Sequence, residues 1–167
     1  MKITINYKDT ILKWANLTPI RGKPTFKTLH KLRNKIKANT KSVNSNIVAG
    51  AHGHIGLVLT DAQYALISPS PFFYPTHSGM LIIPDGTTAH TKSNMRISQT
   101  DEVHIFREVT GVEQALVQHI FSNVKEAYLV NICNRTTNSI NDTVADVLPH
   151  PQDTYVQLMP HGILECE

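Results

Sequence analysis

The feature that most restricts what this chain can fold into is the spacing of its apolar residues between 103 and 128. Val103, Phe106 and Val109 are followed, beyond Gly111, by Val112, Leu116, Ile120, Val124 and Tyr128. Steps of three and four residues place such side chains on one face of an α-helix, whereas a half-buried strand would alternate with period two. Val117 and Phe121 widen that face, so a helix from about Ser98 is expected to contact two neighbours. Gly111 costs a helix about 1 kcal/mol relative to Ala, so it is expected to mark a kink or a break between two helices.

A second stripe, Phe26, Leu29, Leu32 and Ile36, follows the turn-rich Leu17-Thr18-Pro19-Ile20-Arg21-Gly22-Lys23-Pro24, with Thr25 as its N-cap. The polar run Asn39 to Asn46 reads as a loop. Thr60-Asp61 supplies a capping side chain and a negative charge at a helix start, and Ala62, Tyr64, Ala65, Leu66 and Ile67 fit two turns stopped by Ser68-Pro69-Ser70-Pro71. Pro69, Pro71, Pro75 and Pro84 bracket an extended loop with Met80-Leu81-Ile82-Ile83 as a short β-like piece, a flap or an assembly surface. Farther on, Asn134 to Asn138 reads as a loop and Ser139 as an N-cap. Ile140, Val144, Val147 and Leu148 form the next stripe, ended by Pro149 and Pro151. The expected fold is mainly α: one domain over residues 1–167, with 1–16 as a lead, built as a bundle of about five helices with a proline-rich loop and at most a small β element.

Composition narrows the function classes. Of the 167 residues 41% are apolar and 17% charged, a balance suited to a folded core. Cys133 and Cys166 form no CxxC pair, and no apolar run approaches the length of a secretory core or a membrane span, so a soluble, cytoplasmic protein is expected. Charge is strongly segregated. Between Thr10 and Thr60 there are nine basic residues and no acidic one, while from Asp61 onward five basic residues stand against twelve acidic ones. Arg21, Lys23, Lys27, Lys31, Arg33, Lys35, Lys37 and Lys41 are therefore the candidate nucleic-acid-binding set, contacting phosphates and releasing counterions. Few aromatics accompany them, so any RNA binding is expected to be weak and nonspecific. The same segregation suits docking of one subunit's basic end on another's acidic surface.

Gly50, His52, Gly53, His54 and Gly56 form a compact motif open to two readings. In an extended chain the two histidines share a face and could grip one ion, making a small metal-dependent enzyme. A third ligand is not evident, since the first acidic residue after them is Asp61 and HExxH and CxxC motifs are absent. The favoured reading is a structural turn that uses glycine where the backbone bends sharply or packs closely. Nucleophile elbows, phosphate loops and dinucleotide fingerprints are absent as well, so catalytic residues, metal and cofactor are all expected to be none.

The ordered motifs carry a resemblance. Leu17 to Phe26, Ile36-Lys37-Ala38-Asn39 with Ser42-Val43, and His52-Gly53-His54-Ile55-Gly56-Leu57-Val58-Leu59 through Tyr64 resemble the N-terminal region of Gag-like, capsid-type proteins of Copia-type LTR retrotransposons. Asn134 to Ile140, Gln152 to Tyr155 and Gln157 to His161 are similar to the same family in the same order. The resemblance implies a helical domain that self-associates into virus-like particles around element RNA, with no small-molecule substrate and no membrane. Ile47-Val48-Ala49, Pro149, Pro151 and Val156 depart from the family pattern, as a truncated or degenerate copy would. A host-retained adaptor, binding proteins through the Pro69 to Pro84 loop, is the other non-enzymatic alternative.

Overall fold

The computed structural model describes residues 17, 19–129, 133–134, 139–140 and 144–147. It is mainly α-helical. Helix α1 spans Phe26–Ser42, α2 Asp61–Ala65, α3 Ala89–Asn123 and α4 Val144–Val147, with 3₁₀ turns at Ile47–Gly50, Ile55–Leu57 and Glu126–Tyr128. A two-residue antiparallel pairing joins β1, Cys133–Asn134, to β2, Ser139–Ile140.

Helix α1 starts at a reciprocal cap. The Thr25 hydroxyl accepts from the Thr28 amide at 3.3 Å, and the Thr28 hydroxyl accepts from the Thr25 amide at 2.9 Å, which satisfies two backbone donors that a helix start leaves open. Leu29, Leu32 and Ile36 are buried as their spacing requires, but Phe26 is half exposed and stacks on His30 at 5.8 Å. The helix does not stop at the expected loop. It runs on to Ser42, because Asn39 and Thr40 are buried in its last turn and the Thr40 hydroxyl returns a 2.6 Å hydrogen bond to the Ile36 carbonyl. Helix α2 is shorter than expected, since Leu66 and Ile67 lie in the following turn with their side chains exposed.

The 35-residue α3 would measure about 52 Å at 1.5 Å per residue. Two sequence expectations change here. The helix begins at Ala89 behind the Thr88 cap, nine residues before Ser98, and it passes Gly111 without a break. Residues 89–97 are polar around most of the circumference, so they carry no periodic apolar signal. At Gly111 the local cost is outweighed by burial of Val109, Val112, Ala115 and Leu116 around it, since each large aliphatic side chain contributes about 1.5–3 kcal/mol. The C-terminal half of α3 is the centre of the molecule. Val109, Val112, Leu116 and Ile120 share one buried cluster with Leu29, Leu32 and Ile36 of α1, and with Val43, Leu57, Val58, Leu129 and Val144. The Ile20 amide donates to the Asn123 carbonyl at 2.8 Å, which ties the approach to α1 onto the end of α3.

Between α2 and α3, residues 71–79 form neither helix nor strand, and Met80 to Ile83 form no strand. The segment lies along α3 from Glu113 to Gln99 in the opposite direction. The Tyr74 hydroxyl donates to Glu113, the His77 ring sits edge-on to Phe106 at 5.2 Å, and the Gln99 side-chain amide donates to the Gly79 carbonyl at 3.0 Å. Ser139 is a strand residue instead of a helix N-cap, and Ile140 pairs with Cys133, which leaves Val144–Val147 as the helical remnant of that stripe. The lead at 1–16, the loop residues 135–138, Leu148, Pro149, Pro151 and the motifs from Gln152 to His161 lie outside the described residues.

The α1 cap is open to a direct test. Thr25→Ala removes the side-chain acceptor, so denaturant unfolding should show a loss of about 1 kcal/mol with an unchanged m-value.

Candidate functional site

The two halves of the glycine-histidine motif do different things. Gly50 and Gly53 have φ of 74° and 55°, in the left-handed region where a β-carbon is unfavourable. At Gly53 an added β-carbon would also overlap the carbonyl oxygens of Lys41 and Val43, so the turn is pressed against the end of α1. At Gly56 it would overlap the ring of Phe72. His52 is half-buried and meets Tyr64 edge-on at 6.1 Å, and Tyr64 in turn meets Phe72 at 5.6 Å. His54 is fully buried. The imidazoles therefore do not converge on one point as they would in an extended strand. His52 joins an aromatic row and His54 points to α3.

His54 is held by a polar clamp. Its Nε2 lies 3.2 Å from the Asn44 carbonyl oxygen and 3.2 Å from Glu108 Oε1. Both partners are acceptors, so Nε2 carries the proton and donates. Glu108 also accepts from the Asn46 amide at 3.0 Å and from the Asn46 side-chain amide at 2.6 Å. The His54 amide donates to the Thr40 carbonyl at 3.0 Å. One buried carboxylate thus fastens the turn at residues 44–54 to α3, while the turn's backbone is fastened to α1. Burial lowers the His54 pKa below its ordinary value, opposed by the Glu108 charge and by the bond to Asn44. Burial likewise lowers that of His119, another fully buried histidine on α3. In both rings Nδ1 is buried without a partner.

Glu108, Asn46 and His119 are site residues that periodicity reading passed over. A signal was present. Glu108 lies four residues before Val112 and eight before Leu116, and His119 lies four after Ala115, so both occupy the apolar stripe. A charged residue on such a stripe calls for a buried partner.

The eight candidate cations separate into groups. At about 100° per residue, Lys27, Lys31 and Lys35 fall within about 80° of arc, and Arg33, Lys37 and Lys41 within another arc on the far side of the buried stripe. Lys31 and Lys35 join Arg21 and Lys23 around a groove of about 540 Å³, whose apolar wall includes Leu17, Pro19, Ile20 and Leu32. Arg33 instead turns toward α2. Its Nη2 lies 3.5 Å from Gln63 Oε1, its Nε is buried without a partner, and burial with the neighbouring Arg33 charge lowers the Lys37 pKa.

A second cavity, of about 400 Å³, lies between Gly56, Asp61, Phe72, Tyr74 and Glu113. The Tyr74 phenol is pushed up to about 12 by burial and by its hydrogen bond to the Glu113 carboxylate, so it stays a neutral donor. Among the described residues lining it there is no His, Cys or Lys, and nowhere among the described residues do three His, Cys, Asp or Glu side chains gather as a metal site would require. No family model, no curated protein and no solved structure matches the chain.

These contacts set three expectations. Glu108→Ala strands the His54 and Asn46 donors and should cost about 3 kcal/mol in denaturant unfolding, whereas Gly53→Ala should cost more than about 2 kcal/mol, because left-handed backbone strain adds to the overlap with the Lys41 and Val43 carbonyls. The pH dependence follows from the two lowered histidines. Below the ordinary value of 6.5 the unfolded chain takes up protons that the folded rings refuse, so stability is full above 6.5 and falls as pH drops through the folded values. Thermal melts from neutral to acidic pH should show this slope, and it should be shallower in His54→Gln measured alongside.

Proposed function

We propose that this chain is a non-enzymatic assembly domain of the Gag-like, capsid type its motifs resemble, a bundle of about five helices with a proline-rich loop. It self-associates in the cytoplasm and holds RNA weakly through the basic α1. The observation that carries this reading is the large apolar surface left outside the core. Phe73 is 68% exposed, Met80 87%, Ile82 79% and Ile97 57%, all four on the segment between α2 and α3 or on the outer half of α3, while Leu66, Ile67 and Phe26 are exposed elsewhere. Phe73, Met80 and Ile82, close together on one segment, mark a contact surface more than a solvated one. The buried clamp supports the same reading, because it uses His54 to fasten a turn and leaves its Nε2 occupied by Glu108 and Asn44.

Sedimentation velocity at low and moderate salt, with and without RNA, tests the proposal. The wild-type chain should form oligomers that grow with concentration, and the double variant Met80→Glu with Ile82→Glu should shift to monomer with an unchanged circular-dichroism spectrum. A wild-type chain that stays monomeric at every concentration and ignores RNA would sink the reading. Stoichiometric zinc, manganese or iron in protein purified without an affinity tag would favour the metal-enzyme alternative. A heterologous partner lost on deletion of the Pro69 to Pro84 loop would favour the adaptor.

A further inference from the structure

We infer that the groove rimmed by Arg21, Lys23, Lys31 and Lys35 is the seat of a single-stranded polyphosphate chain, and that the other cationic row of α1 takes no part in holding it. This rests on the RNA-holding half of the function proposed above and narrows it to one face.

Three observations separate the two rows. First, the groove gathers cations from two segments, the turn before α1 and the helix itself, and among the described residues no carboxylate lines it. Second, Lys31 and Lys35 stand one turn apart, a rise of about 6 Å, comparable with the step between successive phosphates along one strand. Third, the Arg33, Lys37 and Lys41 row is drawn into the fold at two of its three members. Arg33 leans on Gln63, and Lys37 is half-buried beside it, so a bulky polyanion meets only Lys41 fully exposed there.

The wall of the groove decides the kind of ligand. Leu17 and Pro19, with Ile20 and Leu32 buried behind them, offer apolar contact to the face of a base but no hydrogen-bond pattern to read its edge. Among the described residues no aromatic ring lines the groove, so they supply no stacking, the main source of affinity in strong single-strand binders. Binding is therefore governed by phosphate neutralisation and is indifferent to sequence. With four cations engaged, the logarithm of the binding constant should fall against the logarithm of salt with a slope of about −2.8 for a single strand.

Fluorescence anisotropy of a labelled uridine oligonucleotide across a salt series tests this. The Lys31→Gln, Lys35→Gln double variant should lose about 1.4 from the slope and bind at least about fivefold more weakly at low salt, while Lys37→Gln, Lys41→Gln should match the wild type. Equal losses in the two double variants, no binding by the wild type at low salt, or displacement by polyglutamate at the same charge concentration as by RNA would each overturn the assignment. Sedimentation of the same variants keeps the two proposals apart. Intact oligomers with an unmoved salt slope refute the groove and leave assembly standing, whereas a shifted slope in a chain that never oligomerises supports the groove and refutes assembly.

Discussion

Everything around the glycine-histidine turn depends on one buried carboxylate. Glu108 is an acidic side chain placed on the apolar row of α3, where an unpaired charge would not be tolerated. It is tolerated because three donors meet it: His54 Nε2, the Asn46 amide and the Asn46 side chain. Such a buried polar cluster adds less stability than an apolar one of the same volume, since both groups lose their water. Its value lies in position. The placement of residues 44–54 that satisfies these donors also brings Gly53 against the end of α1 and Gly56 against Phe72.

The long helix extends that constraint in two directions. Its C-terminal half is enclosed by α1, the turn and Val144, and its N-terminal half bears no buried residue before Glu108. An exposed helix of this length is marginal by itself. The segment lying along it adds contacts at Phe106 and Gln99, and Phe73, Met80 and Ile82 of the segment and Ile97 of the helix stay exposed. Buried centre and exposed arm are thus parts of one continuous helix.

Several features were readable from residue order. The stripes Leu29-Leu32-Ile36 and Val109-Val112-Leu116-Ile120 predicted their helices and their buried faces, and Thr25 and Thr60 act as N-caps in the places expected of them. The failures have physical causes. The start of α3 was hidden because an exposed helix needs no apolar period, and the end of α1 because Asn39 and Thr40 are buried through tertiary contact and a local hydroxyl bond. Gly111 read as a break because propensity is local, while the burial that overrides it comes from residues far away in the chain.

The charge pattern and the histidine motif show where the division falls. Sequence by itself determined that the chain is mainly helical, that eleven of its sixteen cations precede residue 61, and that glycines bracket the histidines, since each is a property of residue type and spacing. Only the tertiary structure decided which cations share a groove, because α1's buried stripe separates two rows and the Arg21–Lys23 turn folds against one of them. It likewise decided that His54 faces a carboxylate 54 residues away while His52 faces an aromatic ring. A partner at that distance is chosen by packing, and packing is a property of the whole chain.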